Sequence, residues 1–135
     1  MVFDIKESLS LEGNSGPYLL YTYVRCQSVL KKINYNSLTR KLVNSLIIKN
    51  DELNLIRKLY QFTEVVLNAA KNFAPNFITT YLHDLASQYN LFYQKNPILK
   101  AEKETKELRL LITKTTANVI RHGLKLLGIK TVDRM

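Results

Sequence analysis

The chain has 135 residues, 46% of them hydrophobic and 23% charged, with only four glycines and three prolines. That length supports one domain with a real core, and the composition excludes disorder and a turn-rich all-β fold. The net charge of +9 points to a polyanionic partner, nucleic acid or an acidic membrane surface, with a slightly basic solvated surface as the plainer alternative.

The charge is unevenly laid out. Residues 1–16 hold one lysine against three acids, whereas residues 17–50 hold six Lys/Arg and no acid. Residues 51–75 are neutral, and residues 101–135 carry eight Lys/Arg against four acids. The lone Cys26 excludes an intramolecular disulfide and a cysteine-based zinc site. No apolar run approaches the ~20 residues of a membrane span. The opening MVFDIKESLS lacks the basic-then-apolar layout of a signal peptide, so a cytoplasmic protein is expected.

The apolar periodicity is helical nearly throughout. Residues 1–15 read as a tail ending in a turn. Pro17 suits the first position of a helix that runs to about Lys32. NYNS, residues 34–37, breaks it, and Ser37 offers a cap for a short helix over 38–48. KND breaks the pattern again, with Asp51 as candidate N-cap of a helix over 52–60. Thr63 is a plausible new cap before EVVLNAAKNF. Pro75 opens a helix over about 76–94, and a last helix runs from about Glu102 to Leu127 and stops at Gly128. The expected fold is all-α, an antiparallel helix bundle of five or six helices.

Two helices carry more than a core stripe. On the first, Leu19, Tyr23, Cys26, Leu30 and Ile33 line one face. Tyr18, Tyr21, Arg25, Ser28 and Lys32 line another, roughly 140° away. These tyrosines either meet a ligand or cover the edge of the bundle. On the helix over 76–94, Ile78, Leu82, Leu85, Tyr89 and Phe92 form the core stripe. Thr79, His83, Ala86, Asn90 and Tyr93 form a polar neighbour with one aromatic. The last helix has a wide apolar face that includes Leu108, Leu110, Ile112, Val119, Leu124, Leu126 and Leu127. Its spare face holds Lys114, Asn118, Arg121 and Lys125, and AEKETKELR reads as a solvated first turn. Tyrosines beside arginine and lysine on helix faces suit unstacked bases and phosphate.

No catalytic constellation appears. There is no glycine-rich phosphate loop, no histidine–carboxylate motif and no nucleophile elbow. His83 and His122 have no companion ligands, so no metal site is expected. The chain reads as a binding unit, either for nucleic acid or as a basic helical protein–protein interaction module. Basic residues that alternate with tyrosines on helices with separate core stripes do not form a membrane-surface helix.

Three segments carry a resemblance. SLEGNSGPYLLYTYVRCQSVLKK resembles the junction where the catalytic domain of arginine–tRNA ligases enters their C-terminal domain. Glu12, Gly13, Gly16, Pro17, Tyr18, Leu19, Tyr21 and Arg25 match that pattern. YLHDLASQYNLFYQKNPIL and TANVIRHGLKLLGIKTVDRM are similar to the later helices and the closing Asp-Arg-Met of the same family. Thr63 stands where the family often has proline, Tyr23 where histidine is common, and residues 35–51 match poorly.

The resemblance implies a DALR-type anticodon-binding bundle over residues 16–135, with 1–15 the remnant of a join to a catalytic domain that the chain lacks. That domain would bind ATP and arginine, so the chain alone is expected to be inactive and to carry no cofactor. It implies the tRNA(Arg) anticodon stem–loop and the catalytic domain of the same enzyme as partners, with no membrane and a monomeric state. By matching position, Tyr18, Tyr21, Arg25, Tyr93 and Tyr89 would contact RNA, although Tyr89 competes with its own core-stripe reading. Met135 would help form a pocket for a flipped base, with Arg134 on phosphate. The helix-face pattern adds Arg121.

Overall fold

The computed structural model describes residues 15–33, 47–132 and 134. Among these, five α-helices and no strand are present: α1 Gly16–Lys31, α2 Asn50–Tyr60, α3 Phe62–Lys71, α4 Asn76–Lys95 and α5 Lys103–Leu126. Most of the expected helix over 38–48 lies outside the described residues; Ile47 and Ile48 are exposed and non-helical.

Local chemistry sets the helix ends. Ser15 caps α1, its hydroxyl accepting from the Tyr18 N–H at 3.3 Å, and Pro17 sits in the first turn, where no intrahelical N–H is needed. Asp51 is not the cap of α2. The helix begins one residue earlier, and Glu52 reaches back to accept the Lys49 N–H at 2.8 Å. Thr63 is not a cap either: α3 starts at Phe62, after the single joint residue Gln61. Gly128, at φ +77°, closes α5, with its N–H on the Lys125 carbonyl and the Ile129 N–H on Leu124. The same pair of bonds closes α3, from Phe73 to Ala70 and from Ala74 to Ala69. There the left-handed residue is Phe73, at φ +50°.

Cross-helix contacts give the directions. Leu82 faces Gly123, Tyr89 bonds Thr113 and Asn96 bonds Arg109, so α4 and α5 are antiparallel. Tyr81 and Asp84 meet Lys58 while Asn96 meets Asp51, so α2 also opposes α4. Helix α1 runs the same way as α4: Tyr18 reaches His83 and Ser87, and Arg25 reaches Asn90 and Tyr93. Gly123 permits close approach of α4 and α5, since a Cβ there would stand 2.7 Å from Leu82 Cδ2.

The core takes in the expected stripe of α4, with Ile78, Leu82, Leu85, Tyr89 and Phe92 all buried, joined by Tyr81 and Ala86. Helix α1 adds Leu19, Tyr23, Cys26 and Val29, with Leu30 and Ile33 partly covered. Helix α5 adds Leu110, Ile112, Ala117, Val119, Ile120 and Leu124. Leu126 departs from expectation. It is exposed, because at ~100° per residue it lies on the far side of the helix from Leu124, which with Leu127 keeps the last turn on the core.

The first turns of α5 are not merely solvated. Arg109 is buried and donates from Nε to Glu52 Oε1 at 2.7 Å, from Nη1 to the Pro97 carbonyl at 2.7 Å and from Nη2 to Asn96 Oδ1 at 3.5 Å. This ties the start of α2 and the α4–α5 connection to α5. Lys58–Asp84, at 3.2 Å, is by contrast a surface pair of small energetic weight.

Candidate nucleic-acid interface

Because α1 and α4 run side by side in one direction, the second stripe of α1 lies along the polar stripe of α4. Tyr18, Tyr21 and Arg25 come from the first; His83, Asn90 and Tyr93 come from the second, with Ser87 beside it. At the centre is Arg25. Its guanidinium carbon lies 4.6 Å from the Tyr21 ring centroid and 5.1 Å from that of Tyr93. Its Nη1 donates to Asn90 Oδ1 at 2.7 Å and its Nη2 to the Tyr21 hydroxyl at 2.5 Å.

The two rings that flank the cation remain open to solvent, Tyr21 at 39% and Tyr93 at 38% exposure. Each cation–π contact contributes about 0.5–1 kcal/mol at an exposed site, enough to order the rings without sealing them. A cation held between two accessible aromatic faces offers base stacking and phosphate neutralisation in one place. Exposed Lys31 and Lys32 continue the positive charge at the end of α1.

Tyr18 has a different setting. It is half-buried, its ring lies 5.5 Å from that of His83, and its hydroxyl donates to Ser87 Oγ at 3.4 Å while accepting from Asn90 Nδ2 at 3.0 Å. It joins α1 to α4 at the bundle edge beside the exposed pair.

Tyr89 must be corrected. Its side chain is fully buried, and its hydroxyl donates to Thr113 Oγ1 at 3.2 Å on α5. Burial pushes its pKa well above the ordinary tyrosine value, with nearby Cys26 adding to the rise. It is a core residue, as its stripe implied, and it supports the interface from behind: its ring centroid lies 6.4 Å from that of Tyr93. Cys26 is equally enclosed, its thiol pushed up to about 12 by burial.

The other candidates lie on the last helix and beyond it. Arg121 is exposed and donates to Asn118 Oδ1, one turn back, at 3.4 Å. With Lys125, Gly128, Ile129, Lys130 and Thr131 it lines a shallow basic pocket at the end of α5. Arg134 is exposed, and Met135 lies outside the described residues. The described residues include no cluster of three or more His, Cys, Asp or Glu able to hold a metal ion. None of their helices is long and apolar enough to cross a membrane.

Sequence reasoning passed over Asn90, Thr22 and Ser87, which organise the site from below. The available signal was the spacing of Asn90, three residues before Tyr93 on one stripe. Its burial depends on α1, which α4 alone does not reveal.

Comparison with known proteins bears on the family. The model of the DALR anticodon binding domain family matches residues 19–135. Arginine–tRNA ligase of Halothermothrix orenii is 39% identical over 99% of this chain, which covers 24% of that protein. The Haemophilus influenzae arginine–tRNA ligase is 43% identical, with 99% of this chain and 23% of that protein covered. The chain thus spans about a quarter of the length of these curated relatives. Among solved structures, Thermus thermophilus arginyl-tRNA synthetase superposes with a TM-score of 0.89 at 33% identity, over 98% of this chain and 23% of that one. An all-helical fold of this shape, matched by the family model over nearly its whole length, belongs to the DALR anticodon binding domain family.

Proposed function

We propose that this chain is the anticodon-binding part of an arginine–tRNA ligase and grips the anticodon stem–loop of tRNA(Arg). The observation that carries the reading is Arg25, held between the accessible rings of Tyr21 and Tyr93. Those rings would stack on loop bases, and Arg25 would neutralise a phosphate beside them. Tyr18 would border the same surface. Arg121 and Arg134 would add backbone contacts, and Met135 an apolar contact to a base. The attachment of arginine, with its use of ATP, would belong to the catalytic domain of the same enzyme, since the catalytic motifs are missing from these residues. In this reading residues 16–135 are the RNA-binding unit.

The test is binding of the tRNA(Arg) anticodon stem–loop to the full chain across a salt series. Affinity should fall by about 0.7 log units per log unit of salt for each phosphate neutralised on a single strand. No binding at low salt, or binding indifferent to salt, would count against the reading.

A further inference from the structure

We infer that Asn90 is the positioning residue of the interface: its amide, locked in one orientation, holds the Arg25 guanidinium between Tyr21 and Tyr93. Asn90 is 8% exposed and touches α1 three times. Its Oδ1 accepts from Arg25 Nη1 at 2.7 Å, and its Nδ2 donates to Thr22 Oγ1 at 2.9 Å and to the Tyr18 hydroxyl at 3.0 Å.

The orientation follows from where the hydroxyl protons go. Thr22 donates its proton to the Tyr18 carbonyl at 3.0 Å, and Tyr18 donates its own to Ser87 Oγ at 3.4 Å. Each hydroxyl therefore has only lone pairs to offer Asn90. A carboxamide has two N–H donors and one acceptor oxygen. Turning it over would set its oxygen against two hydroxyl oxygens and its N–H groups against a guanidinium, which has no acceptor. Only one orientation satisfies all three contacts, and it presents the oxygen to Arg25. Among the described residues no buried side-chain N or O atom lacks a partner, so this relay is complete.

The chain Arg25→Asn90→Tyr18→Ser87 thus connects a half-buried cation to the α1–α4 seam. A free arginine would sample many rotamers, whereas this one is fixed where a base stacked on either ring would find a cation beside it. The consequence for RNA rests on the proposed function above; the ordering of Arg25 does not.

The experiment has two arms, both on the full chain. The first measures the NMR order parameter of the Arg25 side-chain Nε–H. It should exceed ~0.6, the flexible limit, in the parent, and fall below it in Asn90→Ser, whose hydroxyl is too short to reach Arg25. Thr22→Val, nearly isosteric, removes one Nδ2 acceptor and should lower the order less. It serves as the second variant should Asn90→Ser fail to fold. Unchanged order in these variants overturns the positioning role.

The second arm measures stem–loop binding against salt. Asn90→Ser should lower the affinity and cut the salt slope by about 0.7, the share of one phosphate on a single strand. In an Arg25→Gln background it should change neither. An equal loss in both backgrounds overturns action through Arg25. If Arg25→Gln itself leaves binding untouched, the RNA reading of this surface fails, while a lost order parameter in the first arm still supports Asn90 as the residue that orders Arg25.

Discussion

Replacing either member of the Glu52–Arg109 pair should cost far more than replacing both. Glu52 is 0% exposed and Arg109 3%, with Nε and Oε1 2.7 Å apart. In Arg109→Leu the carboxylate would keep one partner, the Lys49 N–H at 2.8 Å. In Glu52→Leu the guanidinium would keep the Pro97 carbonyl and Asn96, both neutral. Each single variant thus leaves a charge buried without a counter-ion, at a cost of about 3–5 kcal/mol. That is a large share of the 5–15 kcal/mol typical of whole-domain stability. The double variant leaves no buried charge and should cost well under either single. Urea unfolding followed by circular dichroism gives the numbers. With an m-value of roughly 2 kcal/mol per molar, each single should lower the midpoint by roughly 2 M. If the double variant loses the sum of the two singles, the sites are independent and the reasoning about uncompensated charge is wrong.

Two further substitutions separate interface from core. Tyr93→Ala should weaken stem–loop binding by ~1–3 kcal/mol, one stacked base, with the urea midpoint nearly unchanged, whereas Tyr89→Ala should destabilise the fold by ~3–5 kcal/mol. A collapse of helicity in the first, or a native midpoint in the second, would reverse the assignments. Phe73→Gly should raise stability by about 1 kcal/mol in the same assay, because Phe73 is 94% exposed and sits at φ +50°, where a side chain costs about 1–2 kcal/mol. A loss of stability would mean that the exposed ring makes contacts that outweigh its strain.

The core of this protein was largely legible in its sequence because the helices are long and amphipathic. The stripe from Ile78 to Phe92 could be read from spacing alone, and so could the division of α1 into a core face and a tyrosine–arginine face. What stayed hidden depends on partners far along the chain. Arg109 sits in a charged stretch that looks solvated, and its partner Glu52 is 57 residues away. Asn90 looks like any polar residue on a spare face until α1 covers it. Tyr89 shows the limit of carrying a role over by matching position: periodicity placed it in the core, and burial agrees. The caps at Asp51 and Thr63 were misread because a first-turn acid and a near-continuous helix joint leave almost the same local pattern as a cap.

The fixed guanidinium has a thermodynamic side. Immobilising an arginine side chain costs up to ~2 kcal/mol of rotamer entropy. In most surface arginines that loss falls on the binding step, where it subtracts from affinity. Arg25, held by Asn90 and by two rings, has already lost this freedom when the domain folds. The cost therefore lies in the stability of the free protein and is absent from the binding step. A substitution that releases Arg25 moves this entropy loss from folding to binding, so the ligand's affinity falls even where every contact in the complex can re-form.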